Sequence, residues 1–222
     1  MTQIKICGIT NLDDALAAAD FGAAYLGFNF YPPSPRSITV ERCREITSVL
    51  SARDPQLKLV GVFVNLSVEK VRSTLDCCGL DLAQLHGDEP PEMLALLNGR
   101  AFKAFRGVEN ARVDQYCPAG SPPAGLLDAK VTGFFGGTGV TADWQAARSV
   151  AARYPIFLAG GLNPENVAQA IWLVRPWGVD TASGVEIIPG KKDPARLKTF
   201  IEQVHQADQN QPFDQISRFF QE

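Results

Sequence analysis

Eight alternations of a short β-rich run with a helical pattern, recurring about every 25 residues, constrain this chain more than any other feature. The runs expected as strands are Ile4–Cys7, Ala24–Phe28, Leu57–Val64, Leu80–Leu85, Ala101–Phe105, Gly125–Asp128, Ile156–Gly160 and Gly178–Thr181. Helical spacing of apolar residues fits Asn11–Phe21, Val40–Leu50, Ser67–Cys77, Glu89–Leu97, Glu109–Tyr116, Ala142–Ala152, Pro164–Leu173 and Pro194–His205 between and after them. Start signals include Asn11 and Thr39 as N-caps and Pro164 at a first helical position after Asn163. Such alternation implies a parallel sheet with right-handed crossovers. A chain of 222 residues with 45% hydrophobic content suffices for one sizeable core. Eight units in that length predict a closed (β/α)8 TIM barrel. An open doubly wound sheet has fewer strands and favours a G-x-G-x-x-G turn after an early strand, which is missing here. The barrel is expected over residues 1–208, with residues 209–222 as an extension carrying Phe213, Ile216, Phe219 and Phe220. The stretch from Pro118 to Pro123 reads as a loop.

The net charge of −3 argues against a nucleic-acid partner, which usually meets a basic face. A small anionic substrate remains compatible, because a few placed arginines and backbone amides can hold it locally. No apolar run is long enough to suggest a membrane span, and the N-terminus enters a strand without room for a targeting segment. The five cysteines, Cys7, Cys43, Cys77, Cys78 and Cys117, show no paired ligand spacing, and the chain has two histidines. A metal site is therefore not expected, and the cysteine usage suits a reducing cytoplasm. Monomer and homodimer both stay open.

In a barrel of this kind the functional face is built from the loops that follow the strands. Cys7 ends the first strand and is followed by Gly8, which delivers a thiol to that face; packing as a small apolar residue is the competing reading. Asp128 closes an otherwise apolar strand, either capping the next turn or acting as a carboxylic acid kept protonated by its apolar setting. Glycine-rich turns follow the late strands: Gly136-Gly137-Thr138-Gly139, Gly160-Gly161-Leu162-Asn163 and Ser183-Gly184. They serve turn geometry alone or, at these strands, a phosphate held by backbone amides. Arg36 stands in a proline-stiffened loop, as a solvated surface charge or as a fork for a carboxylate. His86 follows the fourth strand as a hydrogen-bonded support or a proton carrier, and ranks below Cys7 and Asp128. A thiol and a carboxyl group without a dinucleotide fingerprint suit paired proton transfers.

Taken in order, Lys5-Ile6-Cys7-Gly8-Ile9-Thr10, Gly27-Phe28-Asn29-Phe30 with Pro35-Arg36, Val60 to Asn65, Gln84-Leu85-His86-Gly87, Leu127-Asp128, Gly136 to Gly139, Ala159 to Val167, Asp180 to Glu186 and Pro189 to Asp193 resemble the phosphoribosylanthranilate isomerase family of tryptophan biosynthesis. The resemblance spans residues 5 to 193. It implies a cofactor-independent Amadori rearrangement of a phosphosugar, with Cys7 as general base and Asp128 as general acid. It implies that Arg36 holds the anthranilate carboxylate and that Gly136, Gly137, Gly139, Gly160, Gly161, Ser183 and Gly184 surround the phosphate. Asp180 falls in an active-site motif of the family, and His86 and Asn163 join it as further candidates. The segment around Cys117 to Pro123 matches no motif, and the tail runs past the family's usual end. Strict alternation puts Lys5 and Cys7 on one face of the first strand, so Lys5 is expected to stabilise a thiolate and the site to lower the thiol's pKa. The rival enzyme is the related barrel isomerase of histidine biosynthesis, which uses two aspartates and a two-phosphate ligand. The rival of another class is a silent phosphosugar-binding barrel, which Cys7 and Asp128 together argue against.

Overall fold

The computed structural model describes residues 1–107, 112–116, 122–129 and 139–210, with the backbone alone for 139–143. In chain order its elements are β1 (Gln3–Cys7), α1 (Leu12–Phe21), β2 (Tyr25–Asn29), α2 (Val40–Arg53), β3 (Lys58–Phe63), α3 (Val68–Cys78), β4 (Leu82–Leu85), α4 (Glu92–Leu96), β5 (Ala101–Arg106), α5 (Val113–Tyr116), β6 (Gly125–Asp128), α6 (Gly139–Ala151), β7 (Ile156–Ala159), α7 (Val167–Val174), β8 (Gly178–Thr181), a 3₁₀ turn (Ser183–Val185), β9 (Glu186–Ile188), β10 (Lys191–Lys192) and α8 (Pro194–Gln209). Strands β1 to β8 form a closed parallel barrel. β1 completes the ring by pairing with β2, where Cys7 stands opposite Gly27, and with β8, where Lys5 stands opposite Asp180. The expected TIM barrel is the fold observed.

Side-chain alternation divides the apolar residues between two cores. Outward residues such as Ile4, Ile6, Leu26 and Phe63 pack with the helices in one continuous cluster. Inward residues Val60, Phe102, Ala104, Leu126, Phe157 and Ala159 form a second cluster inside the barrel, joined by Tyr25, Leu82 and Trp177. Phe157 meets Trp177 and Tyr25 edge-on, with ring centres 5.0 and 5.2 Å apart. Gly178 makes room for that ring: a Cβ there would lie 2.6 Å from Phe157. The barrel is thus plugged with aromatics, which leaves its carboxyl-terminal mouth to polar side chains.

Local chemistry explains the boundaries. Asn11, Thr39 and Ser67 cap α1, α2 and α3 by accepting from Asp14, Arg42 and Lys70 N–H groups, and Asp193 caps α8 with Pro194 in its first turn. Two expectations need correction. Pro164 does not open a helix: Asn163 Oδ1 accepts from the Glu165 and Asn166 N–H groups while Asn166 Oδ1 accepts from Asn163 N–H, and this closed turn delays α7 to Val167. Residue Glu89 does not start α4, because its carboxylate accepts from the Asn65 and Gly87 N–H groups and from Lys103. The short hairpin of β9 and β10 was not expected. Residues 211–222, and parts of the Pro118–Pro123 loop and of the expected Glu109–Tyr116 helix, lie outside the described residues. No helix is long and apolar enough to cross a membrane among those described.

Candidate active site

A cavity of about 310 Å³ opens at the carboxyl ends of the strands, and Cys7, Asp128, Arg36, His86 and Asp180 all line it together with Gly160, Gly161 and Ser183. Cys7 and Asp128 occupy the last positions of β1 and β6, three strands apart around the ring through β8 and β7. Pleating aims both inward, since Leu127 and Ile6 face the outer core. The Asp128 carbonyl accepts from the Gly107 N–H at 2.9 Å, which ties the end of β6 to the end of β5.

Under the thiol lies a buried charge pair. Lys5 is fully buried and its Nζ donates to Asp180 Oδ1 at 2.7 Å. Gly27 makes their approach to Cys7 possible: a Cβ at that position would stand 2.8 Å from Cys7 Sγ and 3.1 Å from Lys5 Nζ. Sulfur and ammonium therefore meet over a missing side chain. Burial pushes the Cys7 thiol up; Lys5 and Lys192 pull it down, and Asp180 adds to the rise. The expectation of a lowered thiol pKa is thus corrected in direction, because loss of water outweighs the two ammonium groups. Lys5 itself is raised: burial favours the neutral amine, but Asp180 and Cys7 together outweigh it and keep it an ammonium. Burial also raises Asp180, against the pull of Lys5.

Arg36, expected as a solvated charge or as a fork for a carboxylate, lines the cavity and already holds a carboxylate of the chain itself. Its Nε donates to both Glu186 oxygens at 2.9 and 3.0 Å, and its Nη2 to Oε2 at 2.6 Å. Gly8, at φ +75°, lets the arginine stem pass, since a Cβ there would come within 2.6 Å of its Cδ. Behind Glu186 stands Lys192, fully buried, donating to Glu186 Oε1, Cys7 O and Ala182 O at 2.9, 2.6 and 3.2 Å. Neither Glu186 nor Lys192 was singled out from sequence. The only signal was their place in stretches shared with the family, because isolated charges in a late loop carry no local pattern.

His86 Nδ1 lies 3.0 Å from Gln84 Nε2, and burial lowers the imidazole pKa to about 4 against the pull of Asp128. A ring neutral near pH 7 behaves as a hydrogen-bonding support. Gln84, also missed from sequence, faces the cavity, and its buried Oε1 has no partner among the described residues.

The late loops are built for close backbone approach. Gly160 and Gly161 take φ of 102° and 74°, and a Cβ on Gly184 would strike the Leu162 carbonyl, so the loops after β7 and β8 pack directly together. Thr181 Oγ1 reinforces this contact by donating to Leu162 O at 2.7 Å. Asn163 lies outside the cavity lining and shapes the turn before α7. Gly139 begins α6, while Gly136 and Gly137 fall outside the described residues. Among the described residues no cluster of three potential metal ligands occurs.

Comparison with known proteins converges on one family. The model of N-(5'phosphoribosyl)anthranilate (PRA) isomerase matches residues 4–203. The N-(5'-phosphoribosyl)anthranilate isomerase of Geotalea uraniireducens is 48% identical over 204 residues, covering 90% of this chain and 97% of that protein. The crystal structure of the phosphoribosyl anthranilate isomerase from Thermotoga maritima superposes with a TM-score of 0.81 at 40% identity, covering 93% of this chain and all of that one. A further structure of such an isomerase, in complex with reduced 1-(o-carboxyphenylamino)-1-deoxyribulose 5-phosphate, gives 0.78 at 38% identity over 93% of this chain and all of that one. By sequence and by fold, this chain belongs to the N-(5'-phosphoribosyl)anthranilate isomerase family.

Proposed function

We propose that this chain catalyses the Amadori rearrangement of N-(5-phosphoribosyl)anthranilate to 1-(2-carboxyphenylamino)-1-deoxyribulose 5-phosphate in tryptophan biosynthesis, without a cofactor and in the cytoplasm, with Cys7 as base and Asp128 as acid. The observation that carries this reading is the convergence of Cys7 and Asp128 on one cavity, with Arg36 and the glycine loops after β7 and β8 lining the same mouth. The reduced product bound by the 38% identical isomerase carries an aryl carboxylate and a phosphate, the two anions those groups suit.

Chemically the substrate supplies its own electron sink. Asp128 protonates the ring oxygen, the C1'–O bond breaks toward that oxygen, and the nitrogen lone pair forms an iminium with C1'. Cys7, as thiolate, then takes the C2' proton. The C2'–H electron pair becomes the C1'–C2' double bond, and the C=N π pair returns to nitrogen. Loss of the C2' hydroxyl proton and gain of one at C1' give the ketone, so no atom or electron is left over. The two transfers assigned to side chains, onto the ring oxygen borne by C1' and off the neighbouring C2', are what an acid on β6 and a base on β1 can perform. The Gly160–Gly161 and Ser183–Gly184 turns hold the phosphate, and Arg36 the carboxylate. Lys5 keeps a positive charge beside the sulfur while the thiolate exists.

The test is loss of phosphoribosylanthranilate fluorescence, run beside the two-phosphate substrate of the histidine-pathway isomerase. Turnover of the first well above the second is expected; comparable or reversed activity contradicts the assignment.

A further inference from the structure

The carboxylate subsite carries a built-in counter-charge. Glu186, whose side chain is 4% exposed, takes three contacts from Arg36, one from Lys192 and one from the Gly190 N–H at 3.2 Å. Arg36 Nη1 is left as the one guanidinium nitrogen without a hydrogen bond among the described residues, and Arg36 lines the cavity whereas Glu186 and Lys192 sit behind it. Among these three side chains two cations face one anion, a single net positive charge. Behind them the Asp14 carboxylate accepts from the Lys192 N–H at 2.7 Å. Cys7 counts as the neutral thiol before it acts as base, and the adjoining Lys5–Asp180 pair is neutral as a unit.

We propose that Glu186 is a specificity-determining residue: acting through Arg36, it sets the subsite charge so that a singly charged aryl carboxylate is accepted and a doubly charged group at the same place is disfavoured. This rests on the reading that Arg36 faces the substrate's carboxylate. A monoanion matches the single positive charge of the three side chains. A dianion leaves one negative charge in excess beside the buried Glu186 carboxylate, which repels it. Selectivity thus comes from a repulsive carboxylate as well as from an attractive guanidinium.

Three analogues of the reduced product test this, with the ortho carboxylate kept, replaced by sulfonate, or replaced by phosphonate. Sulfonate shares the phosphonate's shape but carries one charge. In the unaltered protein the phosphonate should lose affinity relative to the sulfonate as pH rises through the phosphonate's own second ionisation, a measurement that needs no variant. Glu186→Gln keeps an amide oxygen for Lys192 and Gly190 but adds one unit of positive charge, so the phosphonate-to-carboxylate Kd ratio should fall by about tenfold, with the sulfonate ratio held within about twofold. Glu186→Gln with Lys192→Met returns the cluster to one net charge and should restore the original ratio. An unchanged phosphonate ratio, or a sulfonate that moves with it, overturns the proposal. If Arg36→Met leaves carboxylate-analogue binding unchanged, the reading beneath it fails and takes this inference with it. Weaker binding in Arg36→Met with a flat Glu186→Gln ratio sinks the inference alone.

Discussion

The contact between Cys7 and Lys5 depends on an atom that Gly27 lacks. Carbon and sulfur sit comfortably nearer 4 Å than the 2.8 Å a Gly27 Cβ would have, so Gly27→Ala forces the sulfur and the ammonium apart. Alkylation of Cys7 by iodoacetamide, followed against pH, should then shift to higher pH by about one unit, with kcat lowered at least tenfold. Lys5→Met should shift the same profile upward, because it deletes the strongest influence that pulls the thiol down. The sign is fixed by chemistry: removing a positive neighbour disfavours the thiolate. A profile that stays put in both variants would show that neither residue tunes the sulfur. At this scale the sequence was partly legible. Strand alternation alone put Lys5 beside Cys7, but nothing local disclosed that burial would outweigh the ammonium, or that Glu186 would occupy Arg36 from 150 positions away.

Elements hold these residues in place through polar contacts at their ends. The β4-to-α4 connection is organised by one buried pair: Lys103 Nζ donates to Glu89 Oε2 at 3.0 Å and to Gly87 O at 2.6 Å, while Glu89 accepts from the Asn65 and Gly87 N–H groups. Lys103→Met leaves that carboxylate buried without its cation, at a cost of roughly 3–5 kcal/mol. At about 2–4 °C per kcal/mol for a domain of this size, thermal unfolding should show a Tm lower by about 6–20 °C. A Tm within about 2 °C of the parent would mean the pair contributes little. The same pair explains why α4 was overestimated from sequence. Helical spacing around Glu89 is real, but its carboxylate has stronger use in the loop, and a long-range partner such as Lys103 leaves no periodic trace. By contrast β6 and β8 were read at their full extent, because a glycine opens each and a polar residue, Asp128 or Thr181, closes it.

For the whole molecule, repetition made the architecture legible: eight units in one core-sized length leave the closed ring as the arrangement that buries every strand on both faces. The aromatic plug was not legible, since which of two faces is inside depends on closure. Phe157→Ala should cost about 3–5 kcal/mol, read as a lowered denaturation midpoint, by emptying the space between Trp177, Tyr25 and Phe102. An unchanged midpoint would place the ring outside the load shared by the barrel. This plug below and the polar mouth above are what allow β1 and β6 to present a thiol and a carboxyl group to one cavity. The most direct measurement is the turnover of phosphoribosylanthranilate by Cys7→Ala and by Asp128→Asn, with binding of the reduced product analogue titrated in the same preparations. Each variant should lose about 10²–10⁴-fold in kcat while still binding the analogue. Near-normal turnover in either one would contradict the pairing of these two groups as base and acid.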